Sequence, residues 1–302
     1  RQGQAARAQV ELARAALAEL IGASPRDCTL TSGATEALDL AVRGLVGSGS
    51  AARLVTTGAE HAALRDWPRY YEAVEGPILE QLGGRPTMLQ RFPDGASGKS
   101  FFQKRVPKGA PDWLETTEVS TPNGTTSNAL VIADLAHLVW AVNQGCLGFH
   151  PWPYLAATPT ITDELRIDLD PSPGVTFDQV REAAAETRTL LDDVGIASFI
   201  KTSGSRGLHV YVRLERRWDS YAVRAAAVAV ARELERRRPD LLTAAWWKEE
   251  RGTRVFVDFN QNAPHKTVFG TWCVRPRVGG QVSTPIRWDE VATVAPEELT
   301  LA

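Results

Sequence analysis

The chain has 302 residues, 43% of them hydrophobic, with a formal net charge of −2 and a pI of about 6.3. That length suffices for one large buried core or two smaller ones, and the charge excludes a histone-like polycation, so any nucleic-acid surface must be local. Cys28, Cys146 and Cys273 are odd in number and far apart, which excludes a disulfide framework and, with no CxxC pair, a structural zinc site.

No signal peptide and no apolar run long enough to span a bilayer is found. The expectation is a cytoplasmic, nucleoid-associated bacterial protein without membrane contact. The chain opens at Arg1 without a methionine, which suits a natural start further upstream.

Residues 3–21 alternate Ala and Leu with Arg and Glu at helical spacing and predict an amphipathic helix ending near Gly22. "ASPRDCTLTSGATEALDLAVRGLVGSGS" then predicts a short strand, a Ser-Gly turn and a second helix. "GSGSAA" at 47–52 is a flexible break, and 53–58 is one more candidate strand. Helix resumes over 63–82, interrupted at Pro68. From Gly83 to Thr126 the Gly-, Pro- and polar-rich composition predicts short strands and loops. Residues 131–147 read as a helix, with apolar Leu135, Leu138, Val139 and Val142, and the prolines of "GFHPWP" stop it.

Beyond residue 160 the order is clear. A strand at 165–170 precedes a helix at 176–194, strands at 196–202 and 208–214, a helix at 219–238, and strands at 244–249 and 254–259. This β-α-β-β-α-β-β run is the split ferredoxin-like pattern with one added strand.

"RIDLDPSPG" at 166–174 puts Asp168 and Asp170 on one face of a strand and Ile167 and Leu169 on the other. Like charges at that spacing repel, and a divalent cation is the usual counter-charge. "VFVDFNQN" at 255–262 places Asp258 opposite in parity to Val255 and Val257. If the two strands are near neighbours, the three carboxylates converge on one patch, suited to two divalent cations bridging a triphosphate. "TSGSRGLHVYV" at 202–212 adds a turn of small residues, Ser203-Gly204-Ser205, whose N–H groups and hydroxyls can meet phosphate oxygens. His209 follows on a strand, where it can donate to phosphate or serve as a core histidine.

"DLDP", "SGSRGLH" and "VFVDFNQN", in this order and setting, resemble the three motifs of the archaeo-eukaryotic primase-polymerase superfamily. The branch is that of the polymerase module of bacterial ligase D and its stand-alone Prim-PolC relatives. "YYEAV", "GRP", "RFPDG", "FFQK", "PDWL", "LVWAVNQGCLGFHPWP" and "HKTVFGTWCVRPR" extend the resemblance over roughly 64–302.

The resemblance implies a mixed α/β (α+β) primase-polymerase fold over 63–302. An RRM-like, ferredoxin-like βαββαβ catalytic half, 161–302, would pack on an N-terminal α/β half, 63–160, that binds DNA. It makes Asp168, Asp170 and Asp258 the metal-binding catalytic triad for two divalent ions, Mn²⁺ or Mg²⁺. It gives Ser203, Gly204, Ser205, Arg206, His209, His150, Lys266 and Arg275 to the incoming NTP or dNTP.

In relatives an aromatic pair stacks on DNA, and Phe101 and Phe102 match it on what reads as a lysine-rich loop. Lys99, Lys104, Arg105, Lys108 and Arg91 surround them as candidate phosphate contacts. Gapped DNA, primer-templates and broken ends are the implied substrates. Separate ligase and end-joining or excision-repair proteins are the implied partners, since no ligase or nuclease segment is read here. The lysine-bearing segment with which relatives bind a downstream 5′-phosphate is not found, and Leu89 and Gln90 stand where they carry a basic cluster.

Residues 1–62 instead resemble part of a pyridoxal-phosphate enzyme of the cysteine-desulfurase group, in "GASPRDCTLTSGATEALDLAVRGL" and "TTGAEHAA". With no "SxHK" lysine for a Schiff base, they are expected to be a structural remnant without pyridoxal phosphate. Two other readings compete: a non-catalytic nucleic-acid-binding module on the same scaffold, which has no use for three acids that repel DNA, and a pyridoxal-phosphate enzyme.

Overall fold

The computed structural model describes residues 11–15, 18–19, 24–28, 66–93, 95–96, 98–121, 123–275 and 279–301. The chain divides into two compact units, Arg1–Leu64 and Arg65–Ala302. In the first, 11–15 and 18–19 are helical, within the span expected to be a helix. Pro25–Asp27 forms a 3-10 turn capped by Ser24, whose Oγ accepts from the Arg26 N–H at 3.4 Å. The strand, turn and helix expected over 29–62 lie outside the described residues.

The second unit opens with α1 (Asp66–Ala73) and α2 (Glu75–Leu82). The break falls at Val74 and not at Pro68, because both Pro68 and Pro77 sit in the first turn of a helix, where no N–H is needed. The first sheet comprises β1 (Arg85–Arg91), β2 (Phe101–Gln103), β3 (Thr116–Ser120), β4 (Thr126–Ile132) and β5 (Cys146–Pro151). β5 runs along one edge of β1, while β4 pairs with residues 85–87 of β1 and β2 with 89–91.

The helix expected over 131–147 is shorter. The chain stays in β4 to Ile132, and α3 spans Leu135–Asn143. Asp134 caps it by accepting from the His137 N–H, and Gly145, at φ 75°, turns the chain into β5.

The second sheet contains β6 (Thr162–Pro171), β7 (Phe199–Thr202), β8 (Leu208–Trp218), β9 (Leu242–Thr243), β10 (Val255–Asp258) and β13 (Pro285–Ile286), in the order β13-β7-β8-β6-β10-β9. α4 (Phe177–Asp193) and α5 (Ser220–Arg237) make the two crossovers. The central four strands follow the ferredoxin-like order second-third-first-fourth. The added strand is not 244–249: β9 ends at Thr243, and Lys248–Arg251 forms a one-turn helix, α6, stopped by Gly252 at φ 56°. "KEER" is strong helix former with a C-terminal glycine, which outweighs the aromatic pair before it. A small ribbon of β11 (Val274–Arg275) and β12 (Gln281–Val282) completes the unit.

β6 shows why the faces separate. Leu165, Ile167 and Leu169 are 6%, 2% and 0% exposed and pack with Val180, Ala183 and Ala184 of α4 and Val223, Ala227 and Ala231 of α5. Each such side chain contributes about 1.5–3 kcal/mol on burial, and the alanines let the helices lie close to the sheet. The even residues, Glu164, Arg166, Asp168 and Asp170, share the other face.

The first two join β6 to the first sheet. Arg166 Nε donates to Glu164 at 2.6 Å and Nη1 to the Pro151 carbonyl at 3.0 Å, while Arg85 clasps Asp163 with bonds of 2.7 and 3.0 Å. Burial pushes the Glu164 carboxyl up, but Arg166 and Arg85 outweigh it and hold the group below the usual carboxylate range.

Candidate catalytic centre

The register sets one row of side chains across four strands. Asp168 pairs with Asp258 of β10 on one side and with His209 of β8 on the other, and His209 pairs in turn with Lys201 of β7. Asp170 lies one step further along β6, opposite Phe256. The near-neighbour strands expected from the sequence are thus direct hydrogen-bonded partners.

Asp168 has only 19% of its side chain exposed, and its Oδ1 lies 3.4 Å from His209 Nε2. Burial, then Asp258 and Asp170, push its carboxyl up to about 8, against a pull down by Lys201 and Arg275. Asp258 is also raised, by burial, although the Asn260 N–H and the Gln261 amide donate to it. Gln261 Nε2 bridges the pair, 2.7 Å from Asp258 Oδ2 and 3.4 Å from Asp168 Oδ2.

Among the described residues no three His, Cys, Asp or Glu side chains are gathered closely enough to hold an ion as they stand. The chemistry of the acids nevertheless fits a hard divalent cation. They are oxygen donors only, two of them face to face, and their mutual repulsion is what a cation relieves.

The turn before β8 is built by its own residues. Ser203 Oγ accepts from the Ser205 N–H at 3.2 Å and the Gly207 N–H at 3.0 Å. Gly204 has φ +70°, and a Cβ there would stand 3.2 Å from the Ser283 nitrogen, so only glycine fits. Ser205 is half-buried and Arg206 exposed. Arg275 braces the turn from β11, its Nε donating to the Ser203 carbonyl at 2.8 Å and its guanidinium 4.1 Å from the Phe269 ring centroid. Lys266 is exposed and favours the charged form of Asp258.

His150, on β5, meets Phe102 and Phe269 edge-on at 5.2 and 5.1 Å. Its Nε2 is buried with no hydrogen-bond partner. Burial, with Arg275 and Lys201, pushes its pKa down to about 3, so the imidazole is neutral at physiological pH.

The candidate DNA residues are divided. Phe101 and Phe102 are 46% and 55% exposed but lie on β2, paired with Arg91 and Gln90 of β1, and not on a loop. The alternation of β2 turns them to opposite faces. Phe102 shares the face of His150, and Phe101 lies under Arg91, 5.4 Å from its guanidinium. Arg91 itself donates to the Gln144 carbonyl and to Gln103 at 2.6 and 2.7 Å. Lys99 is exposed and Lys104 half-buried. Arg105 and Lys108 line a different hollow, of about 520 Å³, together with Asp112 and Glu118.

Lys201, Gln261, Phe269 and Ser283 also belong to this site without being marked as site residues by the sequence motifs. Gln261 was within reach, three residues after Asp258. Lys201 shares the strand parity that brings it beside His209, but that needs the pairing of β7 with β8 to be known.

The profile of the family described as "LigD, primase-polymerase domain" matches residues 65–302. The chain belongs to the LigD primase-polymerase domain family. The multifunctional non-homologous end joining protein LigD of Mycolicibacterium smegmatis is 34% identical over 238 residues, 78% of this chain and 31% of that protein. The bifunctional LigD of Bacillus subtilis is 31% identical over 75% of this chain and 36% of its own length, so the chain spans about a third of these curated relatives. Among solved structures, the polymerase domain of Mycobacterium tuberculosis ligase D in complex with DNA is similar at TM-score 0.74 and 30% identity, over 82% of this chain and 92% of that one. The mixed α/β fold and the family are therefore those the sequence led us to expect.

At the other end, the profile described as "Aminotransferase class-V" matches residues 1–73. The cysteine desulfurase IscS of Aeromonas hydrophila is 40% identical over 95 residues, 31% of this chain and 22% of that enzyme. Among the described residues, no helix is long and apolar enough to cross a membrane.

Proposed function

We propose that this chain is a metal-dependent, template-directed nucleotidyltransferase that adds ribo- or deoxyribonucleotides to DNA ends or short gaps during repair in the bacterial cytoplasm. The observation that carries this reading is Asp168 facing Asp258 across two paired strands, with its carboxyl pushed up to about 8. A module that only bound nucleic acid would gain nothing from buried acids that repel phosphate.

Asp168, Asp170 and Asp258 would hold two ions, Mn²⁺ or Mg²⁺. Bound there, the metals supply Lewis acidity that lowers the pKa of a primer 3′-hydroxyl and offsets charge on the leaving pyrophosphate. The chain's own groups do the rest. Gln261 keeps the two facing carboxylates in register. The Ser203–Arg206 turn offers the Ser205 hydroxyl and the Arg206 guanidinium to the triphosphate, and Arg275, His209, Lys266 and neutral His150 complete its contacts. Phe102, on the face of His150, stacks an exposed base, and Lys99 and Lys104 flank the strand that carries it. Ligation falls to other domains or proteins.

The test is extension of a labelled primer on gapped and on unprimed templates, with NTPs and with dNTPs, in Mn²⁺ and in Mg²⁺. Metal-dependent extension of the gapped substrate is expected, and none under any of these conditions would defeat the reading.

A further inference from the structure

A cavity of about 590 Å³ opens beside the catalytic row without including its acids or the phosphate turn. Its lining comes from α2, the start of β1, β6, β7 and β8, and from Thr271, Trp272 and Pro285. None of Asp168, Asp170, Asp258, Ser203 or His209 lines it. The one residue that belongs to both the row and the cavity wall is Lys201.

Lys201 is 2% exposed, and its ammonium meets neutral groups: the Ser283 hydroxyl at 2.6 Å, the Thr202 carbonyl at 3.4 Å and the Tyr211 ring, 5.9 Å to its centroid. No carboxylate lies within ion-pair distance of it among the described residues. A buried ammonium without a counter-ion is costly. Burial and the neighbouring Arg275 push its pKa down to about 7, against a pull up by Cys273 and Asp168. An anion in the cavity would give it a counter-charge.

The mouth adds two more cations. Between Arg213, paired with Glu164, and Trp218, paired with Thr162, β8 places four residues against the single Asp163 of β6. This wide bulge throws Arg216 out, 61% exposed and 3.8 Å from Asp163. Arg213 is exposed and forms no ion pair among the described residues. Four cations of the lining, Arg85, Lys201, Arg213 and Arg216, stand against three acids. Asp163 is shared by Arg85 and Arg216, and Glu164 by Arg85 and Arg166. Glu80 is the one remaining carboxylate of the lining.

We propose that this cavity is a second anion site, which takes a polyphosphate group between Lys201 on its wall and Arg213 and Arg216 at its mouth. Resting on the nucleotidyltransferase reading, two sources share that chemistry: the pyrophosphate released by transfer, or the triphosphate of a second nucleotide. The shared Lys201 puts the cavity next to the triphosphate contacts of Arg275 and His209.

The test is equilibrium binding of labelled pyrophosphate and, separately, of a non-hydrolysable ribonucleoside triphosphate to the whole chain in EDTA. Wild type, Arg213→Ala/Arg216→Ala and Arg275→Ala would be compared. The substituted arginines of the double variant are exposed, so its fold should be kept, as a thermal melt would check. Wild type should bind two anions per chain. The double variant should lose one, at least tenfold weaker, and Arg275→Ala should weaken the other. Loss for pyrophosphate alone assigns the cavity to the product, and loss for both ligands assigns it to a second nucleotide. One anion per chain in wild type, or unchanged binding by the double variant, would overturn the proposal. Failure of the catalytic reading shows separately, as absence of primer extension by wild type while the anion count stands.

Discussion

Asp168 of β6 and Asp258 of β10 face one another across an antiparallel pair, with the Gln261 amide donating to both. The carboxyl of Asp168 stands at about 8 against an ordinary 3.8. A group whose folded pKa is raised stabilises the fold fully below its unfolded pKa and loses that contribution as pH rises through the folded one. Without metal, the margin in melting temperature of wild type over Asp168→Asn should therefore narrow as pH rises from 5 to 8, a difference in which the opposite trends of His150 and Lys201 cancel. The gain of wild type on adding Mn²⁺ should grow over the same window, because the cation binds the ionised acids, and Asp168→Asn should flatten that gain. Thermal melts of both proteins across pH, with EDTA or Mn²⁺, make the comparison, and a margin without metal that does not change with pH would contradict it.

Phe101 and Phe102 should not be equivalent. Phe102→Ala removes a ring on the face of His150 and should weaken binding to a short gap by about 1–3 kcal/mol, roughly 5- to 150-fold. Phe101→Ala removes a ring beneath Arg91 and should cost well under that. Fluorescence anisotropy with a gapped duplex reads the difference, and equal losses would show that both rings touch DNA.

Arg275 serves the phosphate turn and the ligand together. Arg275→Ala should raise the nucleotide KM by the loss of about 1.5–3 kcal/mol of charge-assisted bonding. Arg275→Lys should rescue little, since an ammonium cannot both bond the Ser203 carbonyl and lie flat on Phe269. Steady-state incorporation kinetics decide it, and full rescue by lysine would reduce Arg275 to a point charge.

Glu164 should matter to stability. Its folded pKa is depressed, so its contribution is present above the ordinary value near 4.5 and disappears as pH falls through the folded value. Glu164→Gln leaves Arg166 and Arg85 short of a counter-charge and should cost about 3–5 kcal/mol at pH 7, on the order of 10 °C in melting temperature. The penalty should shrink toward pH 3. Melts at pH 7 and pH 3.5 test this, and an equal penalty at both would remove charge from the explanation.

What the sequence showed and hid follows from the range of each signal. Period-two alternation around Asp168 and Asp170 separates the core face of β6 from its catalytic face, and it survives into the structure because Leu165, Ile167 and Leu169 have helices to bury against. Caps such as Asp134 and Gly145 were present in the sequence, but the apolar run across them read as one long helix. Phe101 and Phe102 misled because three residues are too few for a visible alternation. Lys201 and the salt links of Glu164 and Arg166 depend on partners far along the chain, as in the Lys201 bond to Ser283, 82 residues away, and local pattern does not reach that far.

The most direct test of the central claim is single-nucleotide incorporation on a gapped duplex in Mn²⁺ by wild type, Asp168→Asn and Asp258→Asn, with duplex binding measured in parallel. Both variants should bind the duplex within about twofold of wild type and lose incorporation by three orders of magnitude or more, an effect on the order of 4 kcal/mol on the barrier. Incorporation by either variant near the wild-type rate would contradict the assignment of these facing acids as the catalytic centre.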